Sequence, residues 1–98
     1  MIVVVADTSP LNYLIQIDCQ ELLPALYERV FVPAAVVKEL HHPSTPPAVH
    51  RWVRQIPAWI EVREVKSRPD QTLVLLDPGE REAIQLAQEE HADLLLID

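Results

Sequence analysis

Gly79 is the only glycine in the chain, which excludes functions built on glycine-rich loops. A P-loop, a dinucleotide-binding turn and a nucleophile elbow each need several glycines, where the backbone turns sharply or approaches a phosphate. Cys19 is the only cysteine, so the chain has no internal disulfide framework and no cysteine-rich zinc site, as suits a reducing cytosol. His41, His42, His50 and His91 lack the spacing of a zinc set. Long apolar runs are missing too. Residues 2–6 follow Met1 without a basic leader and are too short for a signal-peptide core or a membrane span. The expectation is a cytoplasmic protein with no membrane partner. Positive charge is scarce: eight Lys plus Arg against fifteen Asp plus Glu give a net charge of −7. Such a chain repels polyanions unless cations or a local basic patch intervene.

What is present is apolar material in short, punctuated segments. At 98 residues with 49% hydrophobic and 23% charged side chains, the composition is that of one globular domain spanning 1–98. Residues 2–6 are continuously apolar and β-branched, the pattern of a parallel strand covered on both faces. Asp7-Thr8-Ser9-Pro10 stops that strand, with Ser9 suited to N-cap a helix and Pro10 to open it. Asp18 and Glu21 have the spacing of a capping pair for a second helix, in which Pro24 forces a late start or a kink. Val30-Phe31-Val32 is a short strand, followed from Pro33 by a helix carrying Glu39. Val49, Trp52, Val53 and Ile56 follow helical spacing and place Trp52 in the core. Ile60, Val62 and Val65 partly alternate with charge, as in a half-exposed or edge strand, while the state of residues 73–76 is open. Asp77-Pro78-Gly79-Glu80 opens the clearest helix, with Ala83, Ile84, Leu86 and Ala87 as its apolar stripe. Residues 94–97 again read as a strand buried on both faces. Strands alternating with helices predict an α/β fold with a mainly parallel sheet, and ligands bind such sheets beyond the carboxyl ends of the strands.

Four acids stand at telling places: Asp7 and Asp98 directly after buried strands, Glu39 on the helix after the Phe31 strand, and Glu80 at a helix start. Carboxylates gathered on one rim repel each other unless a cation compensates them, and oxygen-only ligation favours Mg²⁺ or Mn²⁺ over zinc. A metal so held can polarise a phosphodiester and activate water for in-line attack. It also answers the charge objection, with Arg51, Arg54, Arg63, Lys66 and Arg68 available as a flanking path for a nucleic-acid backbone. Each acid also has an ordinary reading. Asp7 can serve a helix entry, and Glu39 can face solvent or pair with Lys38. Glu80 has capping-pair spacing with Asp77, Glu82 rivals it for the site, and Asp98 is terminal.

The segments Asp7-Thr8-Ser9-Pro10-Leu11, Val36-Val37-Lys38-Glu39-Leu40, Leu76-Asp77-Pro78-Gly79-Glu80-Arg81-Glu82-Ala83-Ile84 and Leu94-Leu95-Leu96-Ile97-Asp98 together resemble the PIN-domain family, in the branch near the VapC-like toxins. The resemblance implies a three-layer α/β/α sandwich with a mainly parallel central sheet. It implies Asp7, Glu39, Glu80 and Asp98 as metal-binding and catalytic acids, with Ser9, or alternatively Thr8, as the hydroxyl beside the first. The implied activity is endoribonucleolytic hydrolysis of RNA with Mg²⁺ or Mn²⁺, and the implied partners are RNA, a small antitoxin protein and a second copy in a homodimer. Such domains continue past the last strand with a further helix and strand, so the expectation here is a domain lacking those elements. Two other readings stand beside this one: a catalytically weak module for binding or oligomerisation, and a phosphoryl-transfer domain with Asp7 as nucleophile. Ser9, standing where a second acid belongs, counts against the latter.

Overall fold

The structure is a computed structural model that describes residues 2–97; Asp98 lies outside them. Val3–Ala6 forms β1, Arg29–Pro33 β2, Ile60–Arg63 β3 and Leu94–Leu96 β4. The described residues make one sheet in the order β3-β2-β1-β4, with every neighbouring pair parallel. The helices are α1 (Thr8–Gln16), α2 (Leu22–Leu26), α3 (Ala34–Leu40), α4 (Pro47–Arg54) and α5 (Pro78–Glu89). Residues Leu73–Leu75 form a single 3-10 turn, which settles the segment left open by the sequence.

Alternation along the two central strands sorts the core into two faces. Val4, Ala6, Val30, Val32 and Ile60 pack with Leu11 and Ile15 of α1, Leu23 of α2, Val36 and Leu40 of α3, and Val49 and Val53 of α4. Val5 and Phe31 point the other way and pack with Ala83 and Leu86 of α5. Helices thus cover both faces, which is the three-layer α/β/α arrangement. Trp52 packs partly buried against the larger cluster and tilts against Trp59, with ring centroids 6.3 Å apart.

Several local expectations are corrected. Asp7, not Ser9, is the N-cap of α1, because its extended backbone (φ −86°, ψ 174°) turns its carboxylate onto the Thr8 N–H at 2.7 Å. Asp18 does not open α2; it takes a left-handed conformation (φ 57°) just beyond α1. The helix begins at Leu22 without a side-chain cap, so Pro24 falls in its first turn, where the missing N–H is harmless. At α5 the expected cap is present, with Asp77 accepting the Glu80 N–H at 2.9 Å. Gln85 is buried although the stripe left it out, and its amide donates to the Ser67 carbonyl at 3.0 Å.

β4 departs most from its expected burial. It is the edge strand beside β1, with Leu94 exposed and Leu95 and Leu96 only half-buried. A continuous apolar run reports what a strand can bury, whereas strand order decides what covers it. The pairing of Ala6 with Leu96, and the Asp7 N–H donating to the Leu96 carbonyl at 2.9 Å, finish β1 and β4 at one rim.

Candidate active site

The carboxyl end of β1 delivers Asp7 to this rim. It is 3% exposed, so an ionisable group sits almost wholly out of water. Burial is the largest influence on its acidity and pushes its pKa above the ordinary carboxylate range; the nearby charges of Glu39 and Asp77 push the same way, against the hydrogen bond from the Thr8 N–H and a smaller one involving the Thr8 side chain. Two further carboxylates therefore stand close enough to Asp7 to be felt through the protein.

Glu39 reaches this place because Pro33 ends β2 at the same rim and starts α3, on which Glu39 lies in the last turn. The Thr8 hydroxyl donates to Glu39 Oε2. The expected alternative, a solvent-facing Glu39 paired with Lys38, is not what is seen. From the opposite side comes the N-terminus of α5. Gly79 is buried against the Glu39 side chain so closely that a Cβ there would lie 2.9 Å from the carboxyl carbon, inside normal contact distance. Its backbone does not need positive φ; the lack of a side chain is what lets helix and carboxylate approach. Being the only glycine, at a helical position that asks for none, was the available signal for this contact.

The structure thus brings together Asp7, Thr8, Glu39, Gly79 and Asp77. Asp77 was read from the sequence only as a helix cap. Glu80 lies in the first turn of α5, one residue beyond the glycine that meets Glu39. Glu82, its rival, accepts the Ala35 N–H at 3.3 Å and so satisfies a donor at the start of α3. Ser9 is exposed on the first turn of α1, and Thr8 is the hydroxyl that meets an acid. Of the expected basic path, Arg63 is committed to Glu61, which it shares with Arg29 at 2.8 and 2.7 Å.

A family model described as a PIN domain matches residues 3–98. The chain belongs to the PIN-domain family. No curated protein and no solved structure shows significant similarity to it. PIN domains are typically nucleases and generally use divalent metals.

The donors of this PIN domain suit a hard cation in kind, since Asp7, Glu39, Asp77 and Thr8 offer oxygen alone. Among the described residues no three His, Cys, Asp or Glu side chains converge tightly enough to enclose an ion by themselves. Mg²⁺ asks for less: it is commonly held by one or two carboxylates with water and substrate phosphate completing the shell. The burial of the Asp7 carboxylate, with Glu39 and Asp77 close enough to repel it, is the observation that favours such a fit, because a cation would offset both the lost hydration and the repulsion.

Gly79→Ala tests the packing of this PIN site. Glu39 is the end of a flexible side chain and can move, so stability is expected to change by less than about 1 kcal/mol. The Thr8 to Glu39 contact, however, is expected to break, with any nuclease activity of the site falling roughly tenfold or more while the thermal melt stays cooperative. Unchanged cleavage would show that the close approach of α5 is irrelevant to the site.

Proposed function

We propose that this PIN domain is a divalent-metal-dependent endoribonuclease of the toxin type, hydrolysing RNA phosphodiesters at the rim formed by Asp7 and Glu39. The observation that carries this reading is the buried Asp7 carboxylate with Glu39 and Asp77 acting on it. A structural role alone explains the bond to the Thr8 N–H but not the assembly of further negative charge around a group already penalised by burial.

Asp7 and Glu39 are the residues that would hold Mg²⁺ or Mn²⁺, with Glu80 and the Asp98 carboxylate as the further acids of the set. The cation supplies a Lewis acid for the phosphoryl oxygens and for the attacking water. The Thr8 N–H holds Asp7 Oδ1 in place, and the Thr8 hydroxyl donates to Glu39. Gly79 keeps α5 from displacing that carboxylate. Neutralised in this way, the rim no longer repels a polyanionic strand. An antitoxin partner that covers the rim and a cytoplasmic location complete the proposal.

Cleavage of a single-stranded RNA by the purified chain is expected with Mg²⁺ or Mn²⁺ and to vanish on chelation. Persistence of activity in EDTA, in a preparation free of contaminating nuclease, would refute metal dependence.

A second reading is favoured by β4. Its outer edge is unpaired within the described sheet, and Leu94 and Ile97 are exposed. An apolar edge strand is a template for another chain, and a homodimer through β4 is its simplest form. Sedimentation velocity at micromolar concentration is expected to show a dimer that Leu95→Lys disrupts; a monomer at every concentration would count against it.

A further inference from the structure

A cavity of about 320 Å³ lined by Ser9, Pro10, Tyr13 and Ile97 opens beside the acidic rim. Its volume is at the lower end of the range for ligand sites, about 300–1,000 Å³. We propose that it seats one unpaired base of the RNA strand by stacking on Tyr13, beside the rim that would hold the phosphates. The identity of the ligand rests on the nuclease reading above.

Tyr13 is 64% exposed, whereas Phe31 is buried and Tyr27, Trp52 and Trp59 pack partly covered against the core. This aromatic ring therefore contributes little to the fold and is presented to solvent. Its position follows from local geometry. Asp7 caps α1, and Tyr13 is four residues beyond Ser9, on the same helical face and one turn from the rim. Ile97 comes to the opposite wall because β4 ends beside β1 in register with Ala6.

The chemistry of the lining selects the occupant. Another cavity, bordering Glu39, also carries Lys38, Glu64 and Glu82, and a third carries Glu64, Glu89 and Glu90 with Arg63 and Lys66. In a chain of net charge −7, carboxylate-lined hollows repel phosphates. Among the described residues, the Tyr13 cavity has no ionised side chain in its wall. It offers a flat aromatic face, a proline, an aliphatic edge and one hydroxyl. A nucleobase is neutral and flat, and every base has a face on which an aromatic ring can stack. Bases within a duplex are already stacked on their neighbours, so only an unpaired strand can supply one. With the phosphates on the neutralised rim at Asp7, a neighbouring base reaches Tyr13 within a single turn of helix.

The test is an NMR-detected titration of the protein at low ionic strength in Mg²⁺, with a short single-stranded oligoribonucleotide of cleavage-resistant linkages and with its blunt duplex, so that the rim is neutralised and no cleavage intervenes. The single strand is expected to shift the Ser9 and Tyr13 resonances, and the duplex is not. Tyr13→Ala is expected to weaken binding about 5- to 100-fold. Tyr13→Phe, which keeps the ring, should bind within about twofold of wild type, while Tyr13→Leu, which keeps apolar bulk only, should resemble the alanine variant. Equal binding by wild type and Tyr13→Ala, or equal shifts from the duplex, would overturn the proposal. It is equally overturned if Tyr13→Ala changes sedimentation and leaves RNA binding alone, for the cavity then belongs to a protein interface. Cleavage in Mn²⁺ is scored separately. Cleavage that ignores Tyr13 removes the base seat and leaves the nuclease reading; stacking on Tyr13 without cleavage supports the seat and removes that reading.

Discussion

Replacing Asp7 by asparagine is expected to make the protein more stable and nearly inactive at once. In EDTA at neutral pH the melting temperature should rise above that of wild type, while on the ribonuclease proposal RNA cleavage in Mn²⁺ falls on the order of a hundredfold or more. The sign of the stability change follows from burial. The folded-state pKa of Asp7 lies above that of the unfolded chain, chiefly because the carboxylate is withdrawn from water and secondly because Glu39 and Asp77 repel it. The folded form therefore binds the extra proton between the two values. Its contribution to stability is full below the unfolded pKa and is lost as pH rises through the folded one. At neutral pH the charge is a penalty that asparagine removes, and Asn Oδ1 can still accept the Thr8 N–H that caps α1. Melts across acid to neutral pH should show the gap between wild type and variant closing as pH falls. A variant less stable than wild type at neutral pH would mean that Asp7 is held there for the fold and not for a ligand.

Phe31→Ala is expected to cost about 3–5 kcal/mol, a large part of the roughly 5–15 kcal/mol that holds a typical domain folded. The buried cluster on the α5 face consists of Val5, Phe31, Ala83 and Leu86, and Phe31 is its only large aromatic. The Arg29 and Arg63 guanidinium groups also lie over its ring, 4.7 and 5.2 Å from the centroid, and lose that seat. Because α5 carries Gly79 and Asp77 to the rim, loosening this face should, on the ribonuclease proposal, weaken cleavage before the chain unfolds fully. Urea denaturation provides the measure, with Phe31→Leu as the smaller apolar control expected to cost less than the alanine variant. A loss below 1 kcal/mol for the alanine variant would show that the smaller cluster does not anchor α5.

What the sequence discloses divides along local and non-local lines. β1, β2 and α5 are legible because their apolar periodicities and stop signals are local, and each element forms where its pattern lies. The shared rim was legible too, since parallel strands joined by helices put their carboxyl ends on one side. Strand order was not. Nothing within residues 94–97 tells that they form an edge, so their continuous apolarity overstated their burial. The choice of Asp7 over Ser9 as N-cap follows from where the chain leaves its extended conformation, at Asp7, and either side chain is competent to cap. Asp77 shows the same limit at the site: its capping role is local and readable, whereas its influence on Asp7 arises only when α5 packs against α3 across the sheet end. Thr8 meeting Glu39 is likewise a contact between distant segments.

Hydrolysis in heavy-oxygen water tests the central claim most directly. If the Asp7 and Glu39 rim supports attack by water on the phosphodiester, cleavage of single-stranded RNA in Mn²⁺ will place one heavy oxygen in the new terminal phosphate, with no cyclic phosphate end and no product in EDTA. A 2′,3′-cyclic phosphate end without heavy oxygen, made equally well with the metal chelated, would mean that the ribose hydroxyl is the nucleophile and would contradict the account.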